Sequence, residues 1–220
     1  MITNVVIIVL VAILLPWFLF YEKGEIHKGM VPTKLILSLL FIAAVNVQPH
    51  PIPGYFRFLL TGLIFCAGGD LFLALPQKSM FMTGLVSFLI GHVFYIVAFF
   101  HAAQLNAWTW IGTVLAVIAS GWVYVWLKPH LGKMNLPVII YILVITAMVS
   151  GAFSILGDVR INLAGRILVF TGAFLFYISD IFVARHRFFK KEFLNRLIGL
   201  PLYFTGQFIL AFSIGLLSYV

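Results

Sequence analysis

Long apolar runs alternate with short polar connections along the chain, and this pattern predicts membrane-spanning helices. A helix needs roughly 20 residues to cross a hydrocarbon layer about 30 Å thick. Eight runs reach that length, and the short connections between them predict that consecutive helices are antiparallel neighbours. We place the runs at 2–21, 31–48, 55–76, 80–103, 107–127, 135–155, 161–184 and 197–219.

The first run has the length of a secretory signal peptide, but it lacks a basic n-region and an evident small-x-small cleavage site. We therefore interpret it as a helix of the mature protein. The pattern predicts an all-α, polytopic membrane protein with eight transmembrane helices, which form a single transmembrane domain over residues 1–220.

The composition supports this fold class, because 63% of the 220 residues are hydrophobic and only 9% are charged. A soluble domain of this size cannot hide so much apolar surface from water. The net charge of +8 therefore indicates membrane topology, and we expect no nucleic-acid partner.

Lysine and arginine are concentrated in alternate connections, which sets the expected orientation. Eleven lie after helices 1, 3, 5 and 7, with Lys34 counted in the first of these connections, and three lie on the opposite side. The positive-inside rule then places the eleven in the cytoplasm and both termini outside it. If the source is a bacterium, we expect the inner or plasma membrane.

The second half of the chain echoes the first. Residues 57–70 read RFLLTGLIFCAGGD, and residues 166–180 read RILVFTGAFLFYISD. Four helices per half is an even number, so the pattern predicts a parallel 4+4 repeat of residues 1–105 and 106–220. Such repeats tend to place a site at the interface between halves. The alternative is that apolar helices resemble one another by composition alone.

The two echoing segments each carry one carboxylate inside an apolar run, Asp70 in GDLFLA and Asp180 in SDIFVA. A carboxylate at membrane depth is costly, so each residue is a candidate for a functional site. Two nearby carboxylates can serve as acid and base, because they do not ionise together easily. The alternative is that each one is a packing group, hydrogen-bonded to a neighbouring tyrosine or serine.

Further polar side chains recur at helical spacing around these carboxylates and the middle of helices 4 and 8. Residues three or four apart share a helix face, as His92 does with Tyr95 and Tyr177 does with Asp180. Each of them can instead be an ordinary packing residue. The residues expected to bind or orient a substrate are His92, Tyr95, Tyr141, Tyr177, Ser179, Tyr203 and Gln207.

Other chemistries have weaker support in the sequence. A buried metal needs three or four ligands, and Asp70, Asp180 and His92 are only a minimal set without an HxxxH or HExxH spacing. The sequence also lacks the GxSxG pattern of a serine nucleophile. We therefore expect neither a metal nor another cofactor. The basic run at 185–196 indicates an anchor to anionic lipid or, alternatively, a contact with a phosphate head group.

Taken in order, these residues resemble the pattern of the YhhN-like family of eight-helix membrane proteins, which includes the animal lysoplasmalogenases. The family often has a Lys-Pro pair near the start of helix 2; here Pro32 and Lys34 stand in the other order, so no role is assigned there. The resemblance is carried by Gly69, Asp70, Phe81, Gly84, Phe88, His92, Tyr95, Tyr141, Gly172, Ala173, Phe176, Ser179 and Asp180.

The resemblance implies hydrolysis of the vinyl-ether bond of lysoplasmalogens, lysophospholipids drawn from the bilayer, to a fatty aldehyde and a glycerophospho-ethanolamine or -choline. It also implies catalytic roles for Asp70 and Asp180. Our hypothesis is that one aspartate donates a proton and the other positions water, with the assignment left open. The alternatives are a proton-coupled transporter or flippase that uses the same pair, and a metal-dependent hydrolase. The sequence leaves the oligomeric state open.

Overall fold

A computed structural model describes residues 2–77 and 79–220; Met1 and Lys78, which we count in a cytoplasmic connection, lie outside the described residues. A 3₁₀ turn at Gly132–Met134 joins two of the helices, and a π-helical turn at Arg185–Phe189 follows another. The α-helices are α1 Ile2–Lys23, α2 His27–Asn46, α3 Pro53–Ala74, α4 Met80–Ala102, α5 Ala107–Leu131, α6 Asn135–Gly157, α7 Leu163–Ala184 and α8 Phe193–Ser213.

Among the described residues, six segments are long and apolar enough to cross a membrane. One of them, Ala107–Gly157, contains both α5 and α6, which separate at Gly132, where φ is +50°. α8 is not among the six segments. The all-α membrane fold is therefore confirmed, while eight membrane crossings and the 4+4 repeat stay predictions.

Three helices have a bound that differs by four residues or more from the predicted one, and the first difference is that α5 ends at Leu131 rather than at residue 127. α2 begins at His27 rather than at residue 31. Lys34 lies well inside this helix and is buried, which corrects its assignment to a connection. α8 covers Phe193–Ser213 rather than 197–219. Bounds based on apolar runs stop at charged residues, whereas an ion pair with Glu22 of α1 keeps Arg196 within α8.

α3 packs closely against α4, and α7 packs closely against α8, at paired glycines. A Cβ atom added to Gly91 would lie 2.9 Å from the carbonyl oxygen of Gly62. A Cβ atom added to Gly206 would lie 2.8 Å from the carbonyl oxygen of Gly172. Small residues allow such close approach of helices in membranes. The two crossings occupy matching positions in the echoing segments, as a repeat would produce.

We expect Gly206→Ala to lower the melting temperature of the detergent-solubilised protein by several degrees. Its methyl group would overlap a backbone oxygen that cannot move independently, and such overpacking costs about 1–3 kcal/mol. Gly121→Ala is the matched control, because a Cβ atom there meets no atom within 4 Å and alanine favours the helix. Equal melting temperatures for the two variants, measured by differential scanning fluorimetry, would contradict close packing at this crossing.

The last residues of the chain form backbone hydrogen bonds with the α6–α7 connection, just before the start of α7. The backbone N–H of Asn162 donates to the Ser218 carbonyl at 2.9 Å, and that of Val220 donates to the Arg160 carbonyl at 2.8 Å. Asp158 is buried in this connection and accepts from Arg160 Nε at 2.9 Å and from the backbone N–H of Gln104 at 3.2 Å. These contacts hold the end of the bundle opposite the basic connections.

Asp158→Asn should lower the melting temperature at neutral pH. Hydrogen bonds from Arg160 lower the pKa of Asp158 to about 2, so the carboxylate stabilises the fold by about 1–2 kcal/mol above pH 4. That contribution is lost as the pH falls from about 4 towards 2, because in this range the unfolded chain takes up a proton at Asp158 while the folded protein does not. Thermal unfolding of both proteins between pH 7 and pH 3 should show a difference that narrows with acid. A constant difference would show that the charge is not responsible.

Candidate active site

Asp70, on the second half of α3, is a buried carboxylate with a complete set of donors. Only 1% of its surface is exposed. Oδ1 lies 3.1 Å from Nζ of Lys34, and Oδ2 accepts hydrogen bonds from Ser38 and from Tyr203, both at 2.6 Å. A cation and two hydroxyl groups compensate the negative charge, so Asp70 is stable as a carboxylate away from water.

Lys34 and Ser38 are residues of this site that the sequence reasoning missed. The interpretation of the sequence assigns Lys34 to the connection after α1, yet its side chain is buried and lies 3.1 Å from Asp70, and Ser38 donates to the same carboxylate. A signal was available, because Lys34 and Ser38 are four residues apart and share one helix face. Both residues already lie within the run predicted at 31–48, so the bounds of α2 did not hide this signal.

Asp180, on α7, has a different set of partners. Tyr141 donates to its Oδ2 at 2.7 Å, and Nε2 of His92 lies 3.8 Å from the same oxygen. The side chain is 17% exposed, against 1% for Asp70. Among the described residues, the ion-pair partner of Asp180 is a histidine, which carries a charge only when protonated. Asp180 therefore lacks the permanent cation that stands beside Asp70.

His92 is fully buried on α4, and its backbone contact fixes its tautomer. Nδ1 lies 2.7 Å from the carbonyl oxygen of Phe88. Because a carbonyl oxygen only accepts, Nδ1 must carry the proton. In the neutral ring, Nε2 then has a free lone pair, and within the described chain it has no hydrogen-bond partner. Asp180 Oδ2 lies 3.8 Å from Nε2, which is beyond direct hydrogen-bond distance.

Asp70 and Asp180 line the same cavity, which has a volume of about 110 Å³. Side chains from α2, α3 and α4 form one part of its wall, and side chains from α5 to α8 form the rest. Most of that wall is apolar, including Phe88, Val123 and Ile145. The polar groups of the wall are the two carboxylates with their partners, the hydrogen-bonded pair Ser120 and Tyr177, and a separate group at one end.

We call this space the catalytic cavity because it is the candidate site of catalysis, and we define its mouth as the part at the end of the bundle that carries the basic run. Arg187, Asn195 and Arg196 line it there. The guanidinium carbon of Arg187 lies 4.0 Å from the ring centre of Phe81, at the start of α4. An apolar interior thus opens beside positive charge, an arrangement that suits an amphiphile with an anionic head.

The remaining predicted site residues fall into two groups. Tyr141, Tyr177 and Tyr203 line the catalytic cavity, and Tyr177 pairs with Ser120 at 2.9 Å rather than with a carboxylate. Behind Tyr203, Gln207 donates to its hydroxyl oxygen at 3.3 Å and accepts from Tyr95 at 2.7 Å. Ser179 donates to the carbonyl of Phe176 on its own helix. The structure therefore brings Tyr141 and Tyr203 to the carboxylates and leaves Ser179 apart from them.

Among the residues that the structure describes, no group of three or more histidine, cysteine, aspartate or glutamate side chains is arranged to hold a metal ion. Asp70 already has three partners, and none of them is a metal-ligating side chain of this kind. The arrangement is suited to proton transfer between oxygen atoms and a bound molecule.

The fold and the site define a polytopic membrane protein with two carboxylates on one apolar cavity. The YhhN family model matches residues 29–214, so the chain belongs to the YhhN family. It is 33% identical over 188 residues to proteins named lysoplasmalogenase in Mycobacterium tuberculosis and Mycobacterium bovis, which covers 81% of this chain and 67% of each relative.

The chain is also 31% identical over 159 residues to lysoplasmalogenase TMEM86A of Bos taurus. That alignment covers 70% of this chain and 64% of the bovine protein, so the matched region spans about two thirds of the length of these relatives. No solved structure matches the chain.

Proposed function

We propose that this protein is a hydrolase that cleaves the vinyl-ether bond of lysoplasmalogens. The products are a fatty aldehyde and a glycerophospho-ethanolamine or -choline. Relatives named lysoplasmalogenase support the reaction. The observation that carries the mechanism is the unequal environment of two carboxylates on one cavity: Asp70 has a lysine partner, whereas Asp180 has a tyrosine and a histidine.

Vinyl-ether hydrolysis sets clear demands on the site. A proton must reach the β-carbon of the double bond, which leaves an oxocarbenium ion centred on the α-carbon and the ether oxygen. Water then adds to the α-carbon, and the resulting hemiacetal collapses to aldehyde and alcohol. The site must therefore hold one protonated acid and one fixed negative charge in a place from which bulk water is largely excluded.

Asp180 supplies the acid in this proposal. Its partners are neutral when His92 carries a single proton, so the protonated carboxyl is cheaper to hold there than an unpaired charge. Tyr141 and His92 both approach Oδ2, which fixes the plane of the carboxyl group. Asp180 donates its proton to the β-carbon, and the electron pair of the double bond forms the new C–H bond.

Asp70 supplies the fixed negative charge. Lys34, Ser38 and Tyr203 hold it as a carboxylate before the substrate binds, so little reorganisation is needed when the oxocarbenium ion forms. The same carboxylate orients the water that adds to the cation. Asp180, by then ionised, takes the proton that this water releases.

Collapse of the hemiacetal returns the site to its starting state. The carboxyl group of Asp180 donates its proton to the ether oxygen while its other oxygen accepts the hydroxyl proton. The carbon–oxygen bond to glycerol breaks, and Asp180 is again protonated. One water molecule is consumed, and Asp70 remains a carboxylate throughout.

The proposed substrate enters with its chain among the phenylalanines of the catalytic cavity and its head at the basic mouth. We propose from the positive-inside pattern that the mouth faces the cytoplasm, that both termini lie outside it and that eight helices cross the bilayer. The names of the relatives do not favour the alternative of a proton-coupled transporter.

The reaction predicts a specific isotope pattern. Purified protein in detergent, incubated with a lysoplasmalogen in D₂O, should release an aldehyde with one deuterium on the carbon next to the carbonyl. The deuterium arrives there because the first step protonates the β-carbon. Gas chromatography with mass spectrometry measures both the aldehyde and its label.

The matched substrate control is a lysophospholipid with a saturated alkyl ether, which has no double bond to protonate and should remain intact. Release of unlabelled aldehyde would reject carbon protonation. Absence of aldehyde with a folded protein would reject the hydrolase, and activity without a sealed vesicle would exclude a purely transporting role.

A further inference from the structure

A second cavity adjoins the catalytic cavity and is not used by the mechanism. It has a volume of about 390 Å³ and lies among the end of α1, the start of α2, the end of α3 and the connection into α8. Four side chains line both cavities: Lys34, Leu73, Arg196 and Leu200. The two spaces are therefore separated by little more than the side chains that they share. We call this second space the rim cavity.

The rim cavity differs from the catalytic cavity in carrying charges of both signs. Its cations include Lys34, Arg196 and Lys191, and its carboxylates are Glu22, Glu25 and Glu192. Arg196 Nε lies 3.0 Å from Glu22 Oε1, with 26% and 14% of the two side chains exposed. Lys191 and Glu25, 2.8 Å apart, form a second pair that is 71% and 70% exposed. The innermost pair is thus Arg196 and Glu22.

We infer that the rim cavity is a head-group subsite for a zwitterionic lysophospholipid. Arg196, with Lys34 behind it, binds the phosphate, and Glu22 binds the ammonium of ethanolamine or choline. This inference rests on the proposed function, because it gives the head of the same substrate a place. Arginine presents a planar fork of donors that matches phosphate oxygens, and a carboxylate pairs with an ammonium group.

The order of the two cavities matches the order of groups in the substrate. The hydrocarbon chain occupies the apolar cavity, and the charged head occupies the rim cavity. The vinyl-ether bond lies between chain and head in the molecule, so it falls at the junction of the cavities. Lys34 stands at that junction and contacts Asp70, which brings the reactive bond to the carboxylates.

Binding of head-group fragments tests this subsite without relying on turnover. We would titrate glycerophosphocholine and glycerol 3-phosphate into the full-length protein in detergent by calorimetry. Arg196→Gln should weaken both ligands about tenfold or more, because each loses a charge-assisted hydrogen bond to phosphate. Glu22→Gln should weaken glycerophosphocholine about tenfold and leave glycerol 3-phosphate unweakened, because only the former carries an ammonium group.

Lys128→Gln, at the exposed end of α5, is the charge-matched control for Arg196→Gln and should bind both ligands as the wild type does. His27→Trp tests the same subsite with the Arg196–Glu22 pair intact, so it is informative even when loss of that pair unfolds the protein. His27 is exposed and lines the rim cavity, so the larger ring should obstruct the head group and weaken glycerophosphocholine at least about fivefold.

Three results would overturn the subsite. Unchanged binding of glycerophosphocholine to His27→Trp, or to folded Arg196→Gln and Glu22→Gln, would show that the head lies elsewhere. Displacement of glycerophosphocholine by an equal concentration of inorganic phosphate would show an anion site that does not recognise the ammonium group. If the wild type still releases aldehyde in these cases, the proposed function stands and only the subsite fails.

Discussion

Asp180→Asn should reduce aldehyde release from a lysoplasmalogen by about 10²–10⁴-fold, the usual contribution of a general acid. Asparagine keeps the shape of the side chain and still accepts from Tyr141, so the fold should persist. It has no proton acidic enough to reach the β-carbon of the vinyl ether. Initial rates of aldehyde formation with detergent-solubilised protein, normalised to folded protein by gel filtration, measure the effect.

Asp158→Asn provides the matched control, since it makes the same change in a buried aspartate at the opposite end of the bundle. Assayed below its melting temperature, it should retain wild-type activity. Tyr141→Phe should reduce the rate about tenfold, because it removes the donor that fixes Asp180 and leaves the acid itself in place. If Asp180→Asn kept full activity, Asp180 would not be the proton donor.

The two aspartates could be found from the sequence because their signal is thermodynamic. Burying a carboxylate in an apolar run costs free energy, and two of them in matching hexapeptides are improbable without a functional role. Their partners were harder to find. Tyr141 and Tyr203 were named as candidates from composition and helix position, but only the fold shows that each donates to a different aspartate.

Lys34 shows why the asymmetry of the site could not be predicted. Asp70 receives its partners from α2 and α8, whereas Asp180 receives its partners from α6 and α4. If the halves are repeats, these pairs of helices are equivalent, and equal roles would be the natural expectation. The difference arises from single residues, a lysine on α2 and a tyrosine on α6, whose partners depend on tertiary packing.

The predicted start of α8 was wrong for a related reason. Apolar runs mark the part of a helix that lipid or core side chains surround, but a helix continues where its charged residues have partners. Arg196 lies within α8 beside Glu22 of α1, 174 positions earlier in the chain. Polar residues also form hydrogen bonds with one another, as Tyr95 and Gln207 do. Their polar atoms then do not face the cavity, so a site with many polar residues still encloses a mostly apolar space.

The second large effect should come from breaking the buried ion pair. Lys34→Met leaves Asp70 without a cation, and removing one partner of a buried pair costs about 3–5 kcal/mol. We expect a strong fall in melting temperature and in the yield of folded protein. Any folded fraction should be inactive, because Asp70 can then lower its energy only by taking up a proton, which removes the fixed negative charge.

The double variant Lys34→Met/Asp70→Asn separates stability from catalysis. It holds no unpaired charge, so its melting temperature should recover most of the loss seen in Lys34→Met. Its aldehyde release should stay at least about 10²-fold below the wild type, because nothing then stabilises the oxocarbenium ion. Lys128→Met, on the exposed end of α5, should match the wild type in both measurements. Recovery of activity together with stability would mean that the Lys34–Asp70 pair is structural, and that the proposed division of labour between the aspartates is wrong.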